Sequence, residues 1–184
     1  MKQFLRVITA GAILTFALGQ LAGADPVPVT AHPAPALAAG TWVNGAAETL
    51  AGQRGRVTVL LFWTRDCINC KHNLGYWNAW AKMYRGTDVS VISVHTPETR
   101  FERSVEGTRR FAQAHGLQFP ILVDNDAKTW NAFGVESWPT EILIDKRGQV
   151  RAEHAGEMNW QGSGEYKTVQ AKIEQLRREQ TAPG

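Results

Sequence analysis

Residues 57–72 read VTVLLFWTRDCINCKH, and the fold turns on how this stretch is understood. Its first part, 57–63, is a continuous β-branched, aliphatic and aromatic run following Gly55, the pattern of a central strand buried on both faces. From Asn69 to Tyr84, apolar residues recur at helical spacing (Leu74, Trp77, Trp80, Ala81, Tyr84), which predicts a helix with one apolar face. The chain's two cysteines, Cys67 and Cys70, therefore sit where a strand turns into a helix.

Outward from this unit the alternation continues. A second strand is predicted over 88–94, and Phe101, Val105, Phe111 and Ala112 suggest a helix from about Glu98 to His115. After Gly116 come a short strand, FPILVD, and a short helix, AKTWNAF, ended by Gly134, the residue type that favours a helix C-terminus. Strands near 140–145 and 149–155 form a hairpin turning at Lys146-Arg147-Gly148, and Tyr166, Val169, Ile173 and Leu176 mark a final amphipathic helix. Strands alternating with helices and then a hairpin imply an α/β domain, a mixed sheet with helices on both faces. In such sheets ligands gather at the strand ends that carry the cysteines here.

The 184 residues are 43% hydrophobic, enough for one core without a disulfide staple. A net charge of +3 with scattered basic residues argues against a nucleic-acid partner. At the N-terminus, Lys2 and Arg6 precede an apolar run from Val7 to Leu21 and then Ala22-Gly23-Ala24, the pattern of a cleaved secretory signal over 1–24. Residues 25–40, rich in Pro and Ala, are expected as an extended linker with His32 solvated, and the folded domain as 41–184. Export to the periplasm, an oxidising compartment, turns the redox state of a close cysteine pair into a question about its partners.

The pair itself can be read in several ways. Haem attachment needs a His directly after the second cysteine, but Lys71 separates Cys70 from His72. Structural zinc needs four ligands, and no second ligand pair is apparent; copper held by two thiolates remains open. A structural disulfide closing so short a loop would restrict little of the unfolded chain. Redox exchange explains more: a helix starting at Asp66 or Cys67 puts unsatisfied N–H groups and the positive end of its dipole around the Cys67 sulfur, favouring the attacking thiolate. Arg65 and Lys71 would reinforce this and Asp66 oppose it. Cys70, one turn further in, would resolve the mixed disulfide.

On the strength of Gln53 to Trp63, the Cys-Ile-Asn-Cys centre, Val94 to Glu98 (Val-His-Thr-Pro-Glu) and the later Trp138-Pro139, the chain resembles the thioredoxin-like superfamily. Within it, the chain is similar to the TlpA-like exported thiol-disulfide oxidoreductases, above all the thioredoxin-like domain of DipZ-type proteins. The resemblance implies a thioredoxin-like fold with an N-terminal extension and a central insertion. It also implies catalysis by Cys67 and Cys70, and a cis-proline at Pro139 whose loop, with Trp63 and Trp138, would receive substrate. No cofactor is implied. The partners would be disulfide- or thiol-containing proteins, with a membrane thiol reductase as electron donor and the protein acting as a monomeric reductant. Three features depart from the pattern: Leu61 stands where thioredoxins carry a buried Asp, Asn73 where several TlpA-like proteins carry a Glu, and no proline lies between the cysteines. Glu141 or His95 could relay protons instead, although a structural or surface role is the expectation for each. Thr64-x-x-Cys67 also echoes peroxiredoxins, without their preceding proline, since Leu60 is there; a thiol peroxidase remains an alternative alongside the copper carrier.

Overall fold

A computed structural model describes residues 29–179, so the predicted signal, 1–24, lies outside the described residues. Seven strands form one sheet in the order β1-β7-β6-β3-β4-β5-β2. They are β1 (His32–Pro33), β2 (Thr41–Val43), β3 (Val57–Trp63), β4 (Val89–His95), β5 (Ile121–Val123), β6 (Thr140–Ile144) and β7 (Gln149–Ala155). The helices are α1 (Ile68–Met83), α2 (Val105–Ala114), α3 (Lys128–Phe133) and α4 (Glu165–Arg178). The central strand β3 runs parallel to β4 and antiparallel to β6.

Every residue of β3 is buried, and its two-residue period divides the core. Val57, Val59, Leu61 and Trp63 join Leu74, Trp77 and Trp80 of α1, Ala112 of α2, and Val169, Ile173 and Leu176 of α4. Leu60 and Phe62 point the other way, to Val135 and to Trp130 and Phe133 of α3. Helices thus cover both faces, and the return from β3 to its parallel neighbour β4 is made through α1. Gly134 ends α3 in the left-handed region at φ 65°, where a side chain would be strained.

Two expectations change. The helix expected over 98–115 is broken into a single 3-10 turn, Arg100–Glu102, and α2. The break has a local cause: Thr99 and Glu102 form a capping box around the turn, and the Ser104 side chain then accepts the Gly107 N–H at 3.0 Å to start α2. Phe101, assigned by spacing to an apolar face, is consequently 70% exposed.

The second correction concerns residues 29–40, the described part of the linker expected over 25–40; residues 25–28 lie outside the described residues. From Val29 onward this segment is extended but packed: β1 pairs antiparallel with β7, and the Ala34 N–H donates to the Gly148 carbonyl at 2.9 Å. The Ala38 N–H donates to Thr129 Oγ1 at 3.1 Å, while Val29, Ala34 and Leu37 lie against the α3-side cluster. Proline is compatible with an edge strand because its missing N–H can face away from the ladder. His32 is exposed, with Nδ1 3.0 Å from the Thr30 carbonyl. Leu37→Ser should therefore lower stability by about 1 kcal/mol in urea unfolding; an unchanged midpoint would return this segment to the status of a linker.

Candidate active site

The end of β3 delivers Thr64, Arg65 and Asp66, and then α1 begins. Cys67 is its N-cap, and the Cys67 Sγ accepts the Cys70 N–H at 3.2 Å, taking the place of the usual capping oxygen. The sulfur thus lies at the positive end of a 16-residue helix. Both cysteines are free thiols, Cys67 partly exposed and Cys70 buried. Burial pushes the Cys70 thiol far up from its ordinary range, and the Cys67 sulfur and the Glu141 carboxyl add to that rise.

Opposite Cys67 is the loop before β6. The Trp138 carbonyl is 3.9 Å from Cys67 Sγ, and the Trp138–Pro139 peptide bond is cis. The Trp138 ring packs on Trp130 of α3 with centroids 4.3 Å apart, and Trp130 meets Phe62 of β3 edge-on at 6.1 Å. A chain of three aromatic rings thus ties the loop to the central strand. Trp63 does not belong to this surface: it is fully buried, edge-on to His95 and tilted against Phe111, so its expected role in receiving substrate is corrected to a core role.

Two buried carboxylates frame the pair. Glu102 closes the approach to the helix: Oε1 accepts the Thr64 hydroxyl and the Asp66 N–H, and Oε2 accepts the N–H groups of Glu98 and Thr99. Burial pushes this carboxyl up, but the bonds from Thr64, Asp66 and Thr99 outweigh it and hold Glu102 below the usual carboxylate range. The Arg65 side chain donates to the Phe101 carbonyl and Lys71 is exposed, so the first cation is held by its neighbouring loop and the second faces solvent. Spacing alone passed over Glu102; the Thr99-x-x-Glu102 capping-box pattern was the available signal.

Glu141 lies beneath α1, fully buried on β6, directly opposite Leu61 of β3. Its Oε1 accepts the Trp77 Nε1–H at 2.8 Å and the Asn73 amide at 3.2 Å. The same Asn73 amide donates to the Gly156 carbonyl at 3.0 Å, and its oxygen accepts the Met158 N–H at 2.8 Å. An amide is what this position needs beside an acid, since it donates to Glu141 and accepts from Met158 at once. Burial raises the Glu141 carboxyl to about 8 against the bonds from Trp77 and Asn73. His95, the other residue considered as a relay, faces Trp63 and Glu102 instead, and burial pushes it down to about 4. Among the described residues, no three His, Cys, Asp or Glu side chains gather into a metal-ligating group.

A dithiol at the start of the helix that leaves the central strand of such a sheet, with one thiol reachable and the other buried, defines a thioredoxin-like dithiol site. The chain belongs to the AhpC/TSA family, whose model matches residues 30–153. It is 35% identical over 127 residues to protein DipZ of Mycobacterium bovis, covering 69% of this chain but only 17% of DipZ. To the thiol-disulfide oxidoreductase ResA of Geobacillus thermodenitrificans it is 32% identical over 116 residues, covering 63% of this chain and 64% of ResA. Among solved structures, the thioredoxin-like superfamily protein SPOA0173 superposes with a TM-score of 0.72 at 28% identity, covering 82% of this chain and 99% of that one.

His95 makes a prediction about acid stability. Folded, it holds a proton only near pH 4, whereas an unperturbed histidine titrates at 6.5. The unfolded chain therefore takes up this proton first as the pH falls, so the stabilisation is whole above 6.5 and is lost between 6.5 and 4. His95→Gln should flatten the fall in the urea midpoint across that window; a variant that loses stability as steeply as the parent would contradict the assignment.

Proposed function

We propose that the protein reduces disulfides of other proteins outside the cytoplasm, with Cys67 as the attacking thiol and Cys70 as the resolving one. The observation that carries this reading is the asymmetry of the pair: Cys67 Sγ is partly exposed at the helix start, whereas Cys70 is buried behind it and donates its N–H to that sulfur. In the first step the Cys67 thiolate attacks a substrate disulfide, forming a mixed disulfide and releasing one substrate thiolate. Cys70 then attacks Cys67 Sγ, the mixed bond breaks, and the second substrate thiolate leaves. Two electrons pass from the dithiol to the substrate, and the protein is left with a Cys67–Cys70 disulfide.

Substrate would lie along the Trp138–Pro139 loop, where the Trp138 carbonyl offers an acceptor to an extended backbone beside Cys67. The signal-like N-terminus supports export to the periplasm, the likeness to ResA supports thiol-disulfide exchange, and the resemblance to TlpA-like and DipZ-type domains leans toward the reducing direction. No helix among the described residues is long and apolar enough to cross a membrane. Once oxidised in such a compartment, the pair needs an electron source, and a membrane thiol reductase would supply it; the protein would act as a monomer.

Cys70→Ser should accumulate mixed disulfides with partner proteins, resolved on non-reducing gels, while Cys67→Ser should accumulate none. The opposite pattern would reverse the two roles. Direction is tested by equilibration with glutathione: a reductant should sit near thioredoxin's potential of about −270 mV, and a value near about −120 mV would make the protein an oxidant.

A further inference from the structure

We propose that Glu141 carries the Cys70 proton into and out of the buried site and exchanges it with solvent through His154 and Glu165. This rests on the reading of Cys70 as the resolving thiol. Glu141 of β6 lies between Leu61 of β3 and His154 of β7 in the two antiparallel ladders. Directly opposed residues share a face of the sheet with Cβ atoms about 5 Å apart, so the carboxyl and the imidazole are side by side. Both bonds to Glu141 end on one oxygen, Oε1, and Oε2 is buried without a partner. His154 is also unevenly partnered: Nε2 is buried without a side-chain partner, while Nδ1 lies at ion-pair distance, 3.8 Å, from Glu165 Oε2, at side-chain exposures of 11% and 18%, and the backbone of Gly156 and Glu157 adjoins the ring. Two unsatisfied atoms on neighbouring residues thus lead from the side of Cys70 toward a mostly buried carboxylate at the start of α4.

A structural role would not require an acid here. The Oε1 of a glutamine would accept the Trp77 and Asn73 bonds equally well; what a carboxyl adds is a proton that can leave Oε2. The groups facing it fit that use. From α1 come Cys70, which interacts electrostatically with Glu141 and lies one turn before Asn73, with Cys67 beyond it, and the neutral Asn73 and Trp77; β3 contributes only Leu61; β7 contributes His154, backed by Glu165; and in the loop after β7, Glu157 is paired to His72 at 3.1 Å. No cation on this list holds Glu141 ionised. Burial raises it to about 8, so neutral solution contains both its forms. Burial also lowers His154, keeping the imidazole uncharged and Nε2 able to accept.

The step balances without a further reagent. In the mixed disulfide, the Cys70 S–H gives its proton to Glu141 Oε2, and the resulting thiolate attacks Cys67 Sγ. The Cys67–Cys70 bond forms, the bond from Cys67 to substrate breaks, and the substrate thiolate leaves with the electron pair. The proton passes from Glu141 to His154 and out past Glu165. When a donor thiol later attacks Cys67, Glu141, reprotonated from solvent by the same route, returns a proton to the departing Cys70 thiolate.

Stopped-flow mixing of the reduced protein with dithiobis(nitrobenzoate) separates the events, because Cys67 releases the first thionitrobenzoate and Cys70 the second. The readout is the first-order rate of the second release as a function of pH. The wild-type rate should rise through a midpoint at about 8 and level off above it. Glu141→Gln should lower it at least about tenfold at neutral pH and remove the plateau, and Glu141→Asp should restore a plateau. His154→Gln should keep the plateau position while slowing the second release at least about threefold. A wild-type profile in Glu141→Gln overturns the proposal, and a wild-type rate in His154→Gln overturns the exit route. If Glu141→Gln does not fold, infrared spectra of the wild type decide: the carbonyl band of a protonated carboxyl should disappear between neutral and alkaline pH, and its absence overturns the proposal. Cys70→Ser is the separate control, since a second release that survives it overturns the roles of the cysteines whatever Glu141 does.

Discussion

Glu102 holds the geometry on which the site depends. A carboxylate with no exposed surface must have its oxygens satisfied, and this one takes the Thr64 hydroxyl and the N–H groups of Asp66, Glu98 and Thr99. Those donors lie on the two loops that follow β3 and β4, so one side chain fixes where the central strand ends, how the backbone turns into α1, and where the Cys67 sulfur comes to rest. Removing it would leave several buried donors without acceptors at the mouth of the site, a cost that falls on geometry before it falls on chemistry.

The second buried acid lies off the positions that the thioredoxin-like resemblance implies. Leu61 on β3 and Asn73 on α1 occupy the two places where that resemblance implies a carboxyl, and Glu141 lies opposite the first and hydrogen-bonded to the second. The acid of this chain is therefore on the adjacent strand. Asn73 then joins helix, strand and the loop at Gly156 to Met158, a task that needs both a donor and an acceptor.

Much of this was legible in the sequence because periodicity reports burial. The run 57–63 is β3 residue for residue, and the apolar spacing from Leu74 to Tyr84 lies along α1 and its C-cap. Gly134 and Gly148 sit where the chain turns with positive φ. Periodicity failed where side-chain hydrogen bonds overrule it. The capping box at Thr99 and Glu102 cut one expected helix in two, and prolines disguised a packed edge segment as a linker. Trp63 was misjudged for a related reason: position beside the cysteines said nothing about which face of the strand its ring would take. Glu141 was visible as a residue but not as a neighbour, because its register against Leu61 and His154 comes from pairing across long sequence distances.

The sheet's two margins carry a further consequence. β1 has two residues and β2 has three, so neither edge presents a long ladder of open N–H and C=O groups. The proposed disulfide exchange would bring the protein against partly unfolded chains, the very molecules that would otherwise add themselves to an open edge. With both margins short, an incoming extended backbone would instead meet the Trp138 carbonyl beside Cys67, where the proposed substrate site lies. The architecture thereby discourages the associations that lead to aggregation and favours the one that leads to thiol chemistry.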